Sequence, residues 1–260
     1  MKKKVSLILA VCITALLAAC GKSETITFTV GFDADFPPYG YMNDDGDYVG
    51  FDLDLAEEVC HRNGWELVKR PIDWESKDTE LSDGSIDCIW NGFTMNGRED
   101  EYTWSSPYVD NSQIFVVAAD SGITTFADLA GAAVGVQSDS SALSALNDEE
   151  VPENITLRDN LGSLTEYADY NTAFMDLEAG VLDAVAMDIG VAEYQIESSG
   201  DRFIILEQRL ATEQYGVGFL LGNEKLRDTV EATLQEMAED GTLEKLARIW
   251  GLSDNICFGK

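Results

Sequence analysis

Apolar and polar residues alternate with period two from Thr25 to Val30, where threonines space Ile26, Phe28 and Val30, and this predicts a strand. The strand runs into Gly31-Phe32-Asp33-Ala34-Asp35-Phe36-Pro37-Pro38-Tyr39, where two prolines forbid a continuing helix or inner strand. Asp33 and Phe36 therefore fall on a loop at a strand's carboxyl end. Asn43 to Asp47 reads as a tight turn between short strands, and Gly50-Phe51-Asp52 opens an amphipathic helix that stops at Asn63-Gly64. A strand through Leu67 and Val68 follows, then a loop from Pro71 to Trp74. The next apolar run, Asp87-Cys88-Ile89-Trp90, breaks off in Asn91-Gly92-Phe93-Thr94. After Met95-Asn96-Gly97 it presents Arg98 beyond the strand's end.

Gln113 to Ala119 is a continuous apolar strand, expected to be the first crossing between the two halves of the chain. Beyond it the pattern predicts helices at 125–129, 140–146, 170–177 and 191–197, and strands at 133–136, near 155–157, at 184–187 and at 203–206. A strand at 215–221 and helices at 224–240 and 242–250, stopped by Gly241 and Gly251, close the chain. Strands alternating with helices imply an α/β fold with mostly parallel sheets flanked by helices. The pattern also repeats. Leu81-Ser82-Asp83-Gly84-Ser85-Ile86-Asp87-Cys88 matches Leu177-Glu178-Ala179-Gly180-Val181-Leu182-Asp183-Ala184 at leucine, glycine and aspartate, an offset of 96 residues (177 minus 81). That period is too long for a solenoid and predicts two similar lobes facing one cleft, with Gly92 and Asp188 at equivalent strand mouths. The expected lobes are 24–113 with 211–260, and 114–210 between them.

With 45% hydrophobic residues, 260 residues are enough for a sizeable core. The first segment reads as a leader: Lys2-Lys3-Lys4 is basic, and the apolar stretch from Val5 to Ala19 is short for a bilayer span. It closes on Leu17-Ala18-Ala19-Cys20, which resembles a bacterial lipobox and makes Cys20 the expected lipidation site, residues 1–20 being removed or modified. Without the leader's three lysines the balance is 14 minus 48, or −34, against −31 for the whole chain. So acidic a surface repels phosphate backbones, disfavours nucleic acid binding and suits a solvated extracytoplasmic body. Cys60, Cys88 and Cys257 remain, an odd number. Cys88 reads as a buried apolar residue, and a bridge between Cys60 and Cys257 is left open.

Four places carry candidate chemistry. Arg98 suits a carboxylate, held by two parallel charge-assisted hydrogen bonds; the alternative is a surface pair with Glu99 or Asp100. Gln137-Ser138-Asp139-Ser140-Ser141 leads from a strand into a helix start, whose N–H groups suit an anion or are simply capped by serine. Asp188, after Met187, offers a carboxylate to an ammonium group; the alternative is a helix cap alone. Phe36 and Trp74, both on predicted loops, form either a platform for a side chain or part of the core. His61 is the only histidine, and neither a Gly-x-Ser-x-Gly elbow nor a phosphate-binding glycine loop occurs, so no catalytic centre is expected. The acidic turn at Asp44, Asp45 and Asp47 fails EF-hand spacing, and no metal or cofactor is expected.

Taken together, Asp33 to Tyr39, Val49 to Leu55, Asp87 to Arg98, Val134-Gly135-Val136-Gln137, Asp183 to Asp188 and Gly241 to Gly251 resemble the polar amino acid family of bacterial extracellular solute-binding proteins. These are the substrate-capturing components of ABC importers. The resemblance covers about residues 24–252. It implies a type II periplasmic-binding-protein-like fold of two α/β lobes with two hinge-strand crossings, acting as a monomer with a free amino acid and an ABC permease as partners. It makes Arg98 the α-carboxylate partner, helped by Thr94, Ser140 and Ser141, and gives the ammonium to Asp188 and backbone near Gly92. Asp33, Phe36, Trp74 and Gln137 line the side-chain pocket with Asn91 nearby, and Asp33 between two aromatics points to a polar or basic ligand. Many relatives have one more residue between the Thr94 position and the arginine. Cyclohexadienyl dehydratases that share the fold, and ligand sensors acting on a membrane receptor, are the rival functions. Calorimetry on Arg98→Ala, with unchanged binding, would remove the clamp.

Overall fold

The computed structural model describes residues 25–197 and 199–259. The leader and Cys20 lie outside the described residues. The alternating segment forms the strand Thr27–Phe32, whose Phe28, Val30 and Phe32 side chains are fully buried. It pairs in parallel with Glu66–Pro71 on one side and Cys88–Ile89 on the other. Gly218–Leu220 and Tyr102–Trp104 complete a five-stranded sheet. A six-stranded sheet is built from Ser163–Tyr167, Ala133–Gln137, Ala184–Asp188, Val109–Ala118 and Phe203–Ile205, with Ala211–Tyr215 paired to Val109–Ala118. In each sheet a single strand opposes the others: Gly218–Leu220 in the first and Val109–Ala118 in the second. These two strands follow the crossings between sheets. Inner strands such as Ala184–Asp188 are buried along their whole length, whereas the edge strands Glu66–Pro71 and Ser163–Tyr167 carry exposed polar residues.

The chain crosses between the sheets twice, side by side. It leaves the first after Trp104 and enters the second at Val109, then returns between Tyr215 and Gly218. The crossings are tied together: the Ser105 N–H donates to the Val217 carbonyl at 3.0 Å, the Val217 N–H to Ser105 Oγ at 2.9 Å, and the Tyr108 N–H to the Tyr215 carbonyl at 2.9 Å. Two expectations are corrected here. The strand expected at 113–119 begins at Val109, its first half masked in the sequence by Asp110, Asn111 and Ser112, so the crossing lies at 105–108. The strand expected at 215–221 is two strands in different sheets, because the chain changes sheet at Gly216-Val217.

Three local readings also change. The segment expected as a strand near 155–157 is the helix Pro152–Asn160, started by Pro152, whose missing N–H costs nothing in a first turn; the strand is Ser163–Tyr167. The helix expected at 125–129 is a 3₁₀ turn, Phe126–Leu129, closed by a reciprocal capping pair between Thr125 and Asp128. Phe36 lies in a two-residue strand, Asp35–Phe36, paired to Gly40–Met42, and Trp74 opens a 3₁₀ turn, Trp74–Ser76, ahead of the helix Lys77–Ser82. Cys88 is fully buried as expected, and no disulfide joins Cys60 to Cys257: Cys60 is held in the helix Phe51–Asn63, whereas Cys257 lies near Gln214. Among the described residues no helix is long and apolar enough to cross a membrane.

Candidate functional site

A cavity with about 300 Å³ of empty space, part of it open to solvent, lies between the carboxyl ends of the two sheets. Phe36, Trp74, Asn91, Gly92, Thr94 and Arg98 line it from the first sheet's side. Gln137, Ser140, Ser141 and Asp188 line it from the second. Of the residues expected to bind ligand, only Asp33 lies off the wall. Its carboxylate accepts the Asp35 N–H at 2.9 Å and Gln137 Nε2 at 2.7 Å, while its own N–H donates to Asn91 Oδ1 at 3.0 Å. Asp33 thus braces Gln137 from across the cleft, and burial pushes its carboxyl up to about 6.

The short link before Arg98 is anchored to the return crossing. The Met95 N–H donates to the Gln214 carbonyl at 2.9 Å and the Gln214 N–H to Asn96 Oδ1 at 2.7 Å. Gly97, at φ 79°, then turns the chain in a conformation that a side chain would oppose. Arg98 is delivered with Nη1 at 3.2 Å from the Thr94 carbonyl and 3.3 Å from Ser141 Oγ, its guanidinium 5.4 Å from the Phe93 ring centre. Among the described residues no carboxylate lies within 4.0 Å of it, so neither Glu99 nor Asp100 holds it. Ser140 caps the helix Ser141–Leu146, its Oγ accepting the Leu143 N–H at 3.2 Å.

Asp188 ends its strand with one carboxylate oxygen accepting from Asn111 Nδ2 at 2.8 Å, Gln113 Nε2 at 2.7 Å and the Tyr215 hydroxyl at 2.5 Å. The same two amides donate to Glu213 Oε1, at 2.6 and 2.7 Å. Two buried carboxyls therefore share two donors. Burial, reinforced by the Asp188 charge, pushes Glu213 up to about 8, and burial also raises Asp188. Two buried carboxyls on shared donors favour one proton held between them. We place it on Glu213, because Asp188 has the additional Tyr215 donor and so better supports a charge.

On the opposite side Gly92 has φ 56°, and a Cβ there would sit 2.7 Å from Phe36 Cε1. Its N–H donates at 2.6 Å to Asp52 Oδ2, which also accepts the Tyr108 hydroxyl at 2.7 Å; burial pushes Asp52 up to about 7. Phe36 and Trp74 both line the cavity but pack on different neighbours: Phe36 lies 5.7 Å from Tyr39 and 6.0 Å from Tyr170, and Trp74 meets Phe93 edge-on at 5.5 Å. Phe36 is only 6% exposed, so it serves core and wall together.

Glu213, Asn111, Gln113 and Asp52 did not stand out in the sequence. Period-two alternation places Glu213 on the same strand face as Tyr215, and Asn111 on the same face as Gln113, but nothing local shows that these faces meet. Asp52 reads as an ordinary acidic residue in a helix's first turn.

Residues 28–253 match the model of the bacterial extracellular solute-binding proteins, family 3. Among curated relatives, the L-cystine-binding protein TcyJ of Escherichia coli (strain K12) is 29% identical over 230 residues, covering 87% of this chain and 83% of that protein. The arginine-binding extracellular protein ArtP of Bacillus subtilis (strain 168) is 30% identical over 260 residues, covering 96% and 98%. An ABC uptake transporter substrate binding protein from Streptococcus pneumoniae, solved with bound histidine, superposes with a TM-score of 0.81 at 30% identity, covering 90% of this chain and 93% of that one. A two-lobed mixed α/β fold, an interlobe cavity and a family match across nearly all the described residues converge: this chain belongs to the bacterial extracellular solute-binding proteins, family 3.

Proposed function

We propose that this protein captures a free amino acid in the cleft between its sheets by hinge closure and delivers it to an ABC import permease. The observation that carries the reading is the opposition of charges across one small cavity. Among the described residues Arg98 projects from the first sheet's side with no protein carboxylate within 4.0 Å, and Asp188 from the second with no protein cation within 4.0 Å. A zwitterion complements both, its carboxylate on Arg98, Thr94 and Ser141 and its ammonium on Asp188 and the Gly92 backbone. A ligand that touches both lobes favours the closed state by its differential contacts. Residues 25–104 with 218–259 then move as one body and 109–215 as the other, rather than dividing at 113 and 211, because Val109–Ala118 and Ala211–Tyr215 both belong to the second sheet.

The side-chain end of the cavity, walled by Phe36, Trp74, Asn91 and Gln137, suits a polar side chain, with Asp33 behind Gln137 favouring a donor. The monomer is held at the outer face of the membrane through lipid on Cys20. Relatives that bind cystine, arginine and histidine support the amino acid class. A thermal-shift screen over the twenty amino acids, cystine and small peptides tests it. At least one polar or basic amino acid is expected to raise the melting temperature, because a ligand that binds only the folded state stabilises it by mass action. Stabilisation confined to aliphatic or acidic ligands counts against the polar pocket, and turnover of prephenate or arogenate would replace capture with catalysis.

A further inference from the structure

Lys77 opens the helix Lys77–Ser82 on the first sheet's side and is only 2% exposed. Its ammonium is paired with the carboxylate of Asp139, on the second sheet's side of the cleft. Among the described residues no other carboxylate lies within 4.0 Å of it. Within its own lobe the ammonium meets only the Trp74 carbonyl, at 3.5 Å, and the face of the Trp74 ring, at 5.1 Å. Each partner adjoins a residue of the cavity wall: Lys77 rests on Trp74, and Asp139 immediately precedes Ser140. Asp139 is also the one non-glycine residue with positive φ, 55°, among the described residues. The loop thus accepts a left-handed conformation, which aspartate and asparagine tolerate better than most residues, and the carboxylate it carries reaches across the cleft.

We infer that Lys77 and Asp139 are positioning residues for capture: their ion pair forms only when the lobes close, and it sets how long the closed state holds its ligand. The inference rests on the amino acid capture reading. Opening separates the two charges, leaving the ammonium with a carbonyl and a ring. The pair therefore contributes to the closed state and nothing to the open one, and its effect falls on ligand escape rather than entry. Neither residue lines the cavity, so the order of ligand preference should not depend on them. The Asp139 side chain is half exposed, which moderates the pair's strength and makes it sensitive to salt.

The test uses the full chain and, as probe, whichever of the twenty amino acids or cystine raises the wild-type melting temperature most. On- and off-rates are followed by intrinsic tryptophan fluorescence for Lys77→Met, Asp139→Asn and the double variant. Asparagine keeps the left-handed conformation available and methionine keeps the lysine's apolar stem, so both variants preserve the fold. Each single variant is expected to raise the off-rate about tenfold with an on-rate changed less than about twofold, and the double variant to add little. Raising salt should speed release from the wild type and leave Asp139→Asn unaffected. An off-rate unchanged in Asp139→Asn, additive single effects, or an altered order of ligand preference overturns the assignment while leaving capture standing. If no amino acid shifts the wild-type melting temperature, capture and the ion pair's role fall together.

Discussion

The two strand ends that face the cavity are built alike and finished differently. In the first, the Ser85 N–H donates to the Glu80 carbonyl at 2.9 Å; in the second, the Val181 N–H donates to the Asp176 carbonyl at 2.9 Å. Asp87 then accepts the Thr29 N–H at 2.7 Å and Asp183 the Ala133 N–H at 2.8 Å, so each aspartate locks its strand to the neighbouring one. Gly31 and Gly135 let Ile86 and Leu182 pack against those neighbours, since a Cβ on either glycine would lie 2.5 Å from a methyl carbon of the opposing side chain. The difference appears five residues after each aspartate. Three residues past the first strand, Cys88–Ile89, lies Gly92, which offers backbone and whose N–H is held by Asp52, and the chain continues to Arg98. The second ends at Asp188, which offers a carboxylate. A repeated scaffold therefore fixes where the two ends point, and the residue at each end sets the charge it presents.

That comparison is broken most severely at the charged ends. Arg98→Ala should weaken binding of the cognate amino acid by ~3 kcal/mol or more, over a hundredfold, because it leaves the ligand's carboxylate buried without its cation. Asp188→Asn should cost the ammonium in the same way, while neither variant alters the helix and strand content seen by circular dichroism. Equal calorimetric affinities for wild type and either variant would refute the opposed-charge site.

The next largest effect is expected at Gly92. Alanine there must hold φ near 56° and meet Phe36, so Gly92→Ala should lower stability by about 1–2 kcal/mol in denaturant titration. Native-like stability would show that this strand end tolerates a side chain as the Asp188 end does. The locking aspartates give a finer comparison. Asp87 is partly buried and Asp183 exposed, so Asp87→Ala should cost about 1–2 kcal/mol and Asp183→Ala less, in the same titration. The reverse order would mean that the two locks are not equivalent.

The smallest effect is a slope with pH. Asp33, Asp52 and Glu213 are pushed by burial up to about 6, 7 and 8, whereas an ordinary carboxylate titrates near ~4. Between those limits the folded chain retains protons that the unfolded chain has released. Stability therefore falls as pH rises from about 4 towards about 8, and the melting temperature should be higher at pH 5.5 than at pH 8. Glu213→Gln should flatten the upper part of that slope; an unchanged slope would separate Glu213 from the effect.

The local framework is legible in the letters alone: the strand Thr27–Phe32 from its alternation, the helix Phe51–Asn63 from its glycine stop, and the repeated motif that makes Gly92 and Asp188 equivalent. These follow from period, capping and turn chemistry, which act over a few residues. The letters also mark Arg98, because a lone cation past a strand end is visible in one line of sequence. Which polar residues become buried, and beside whom, is set by packing between distant segments. Asp33 looked like pocket wall and instead braces Gln137, 104 positions away. Glu213 shares its donors with Asp188 across 25 positions, and Lys77 meets Asp139 across 62. The physical reason is that desolvation and charge pairing depend on distances set by the crossings at 105–108 and 216–217, and no local pattern encodes a distance between two sheets.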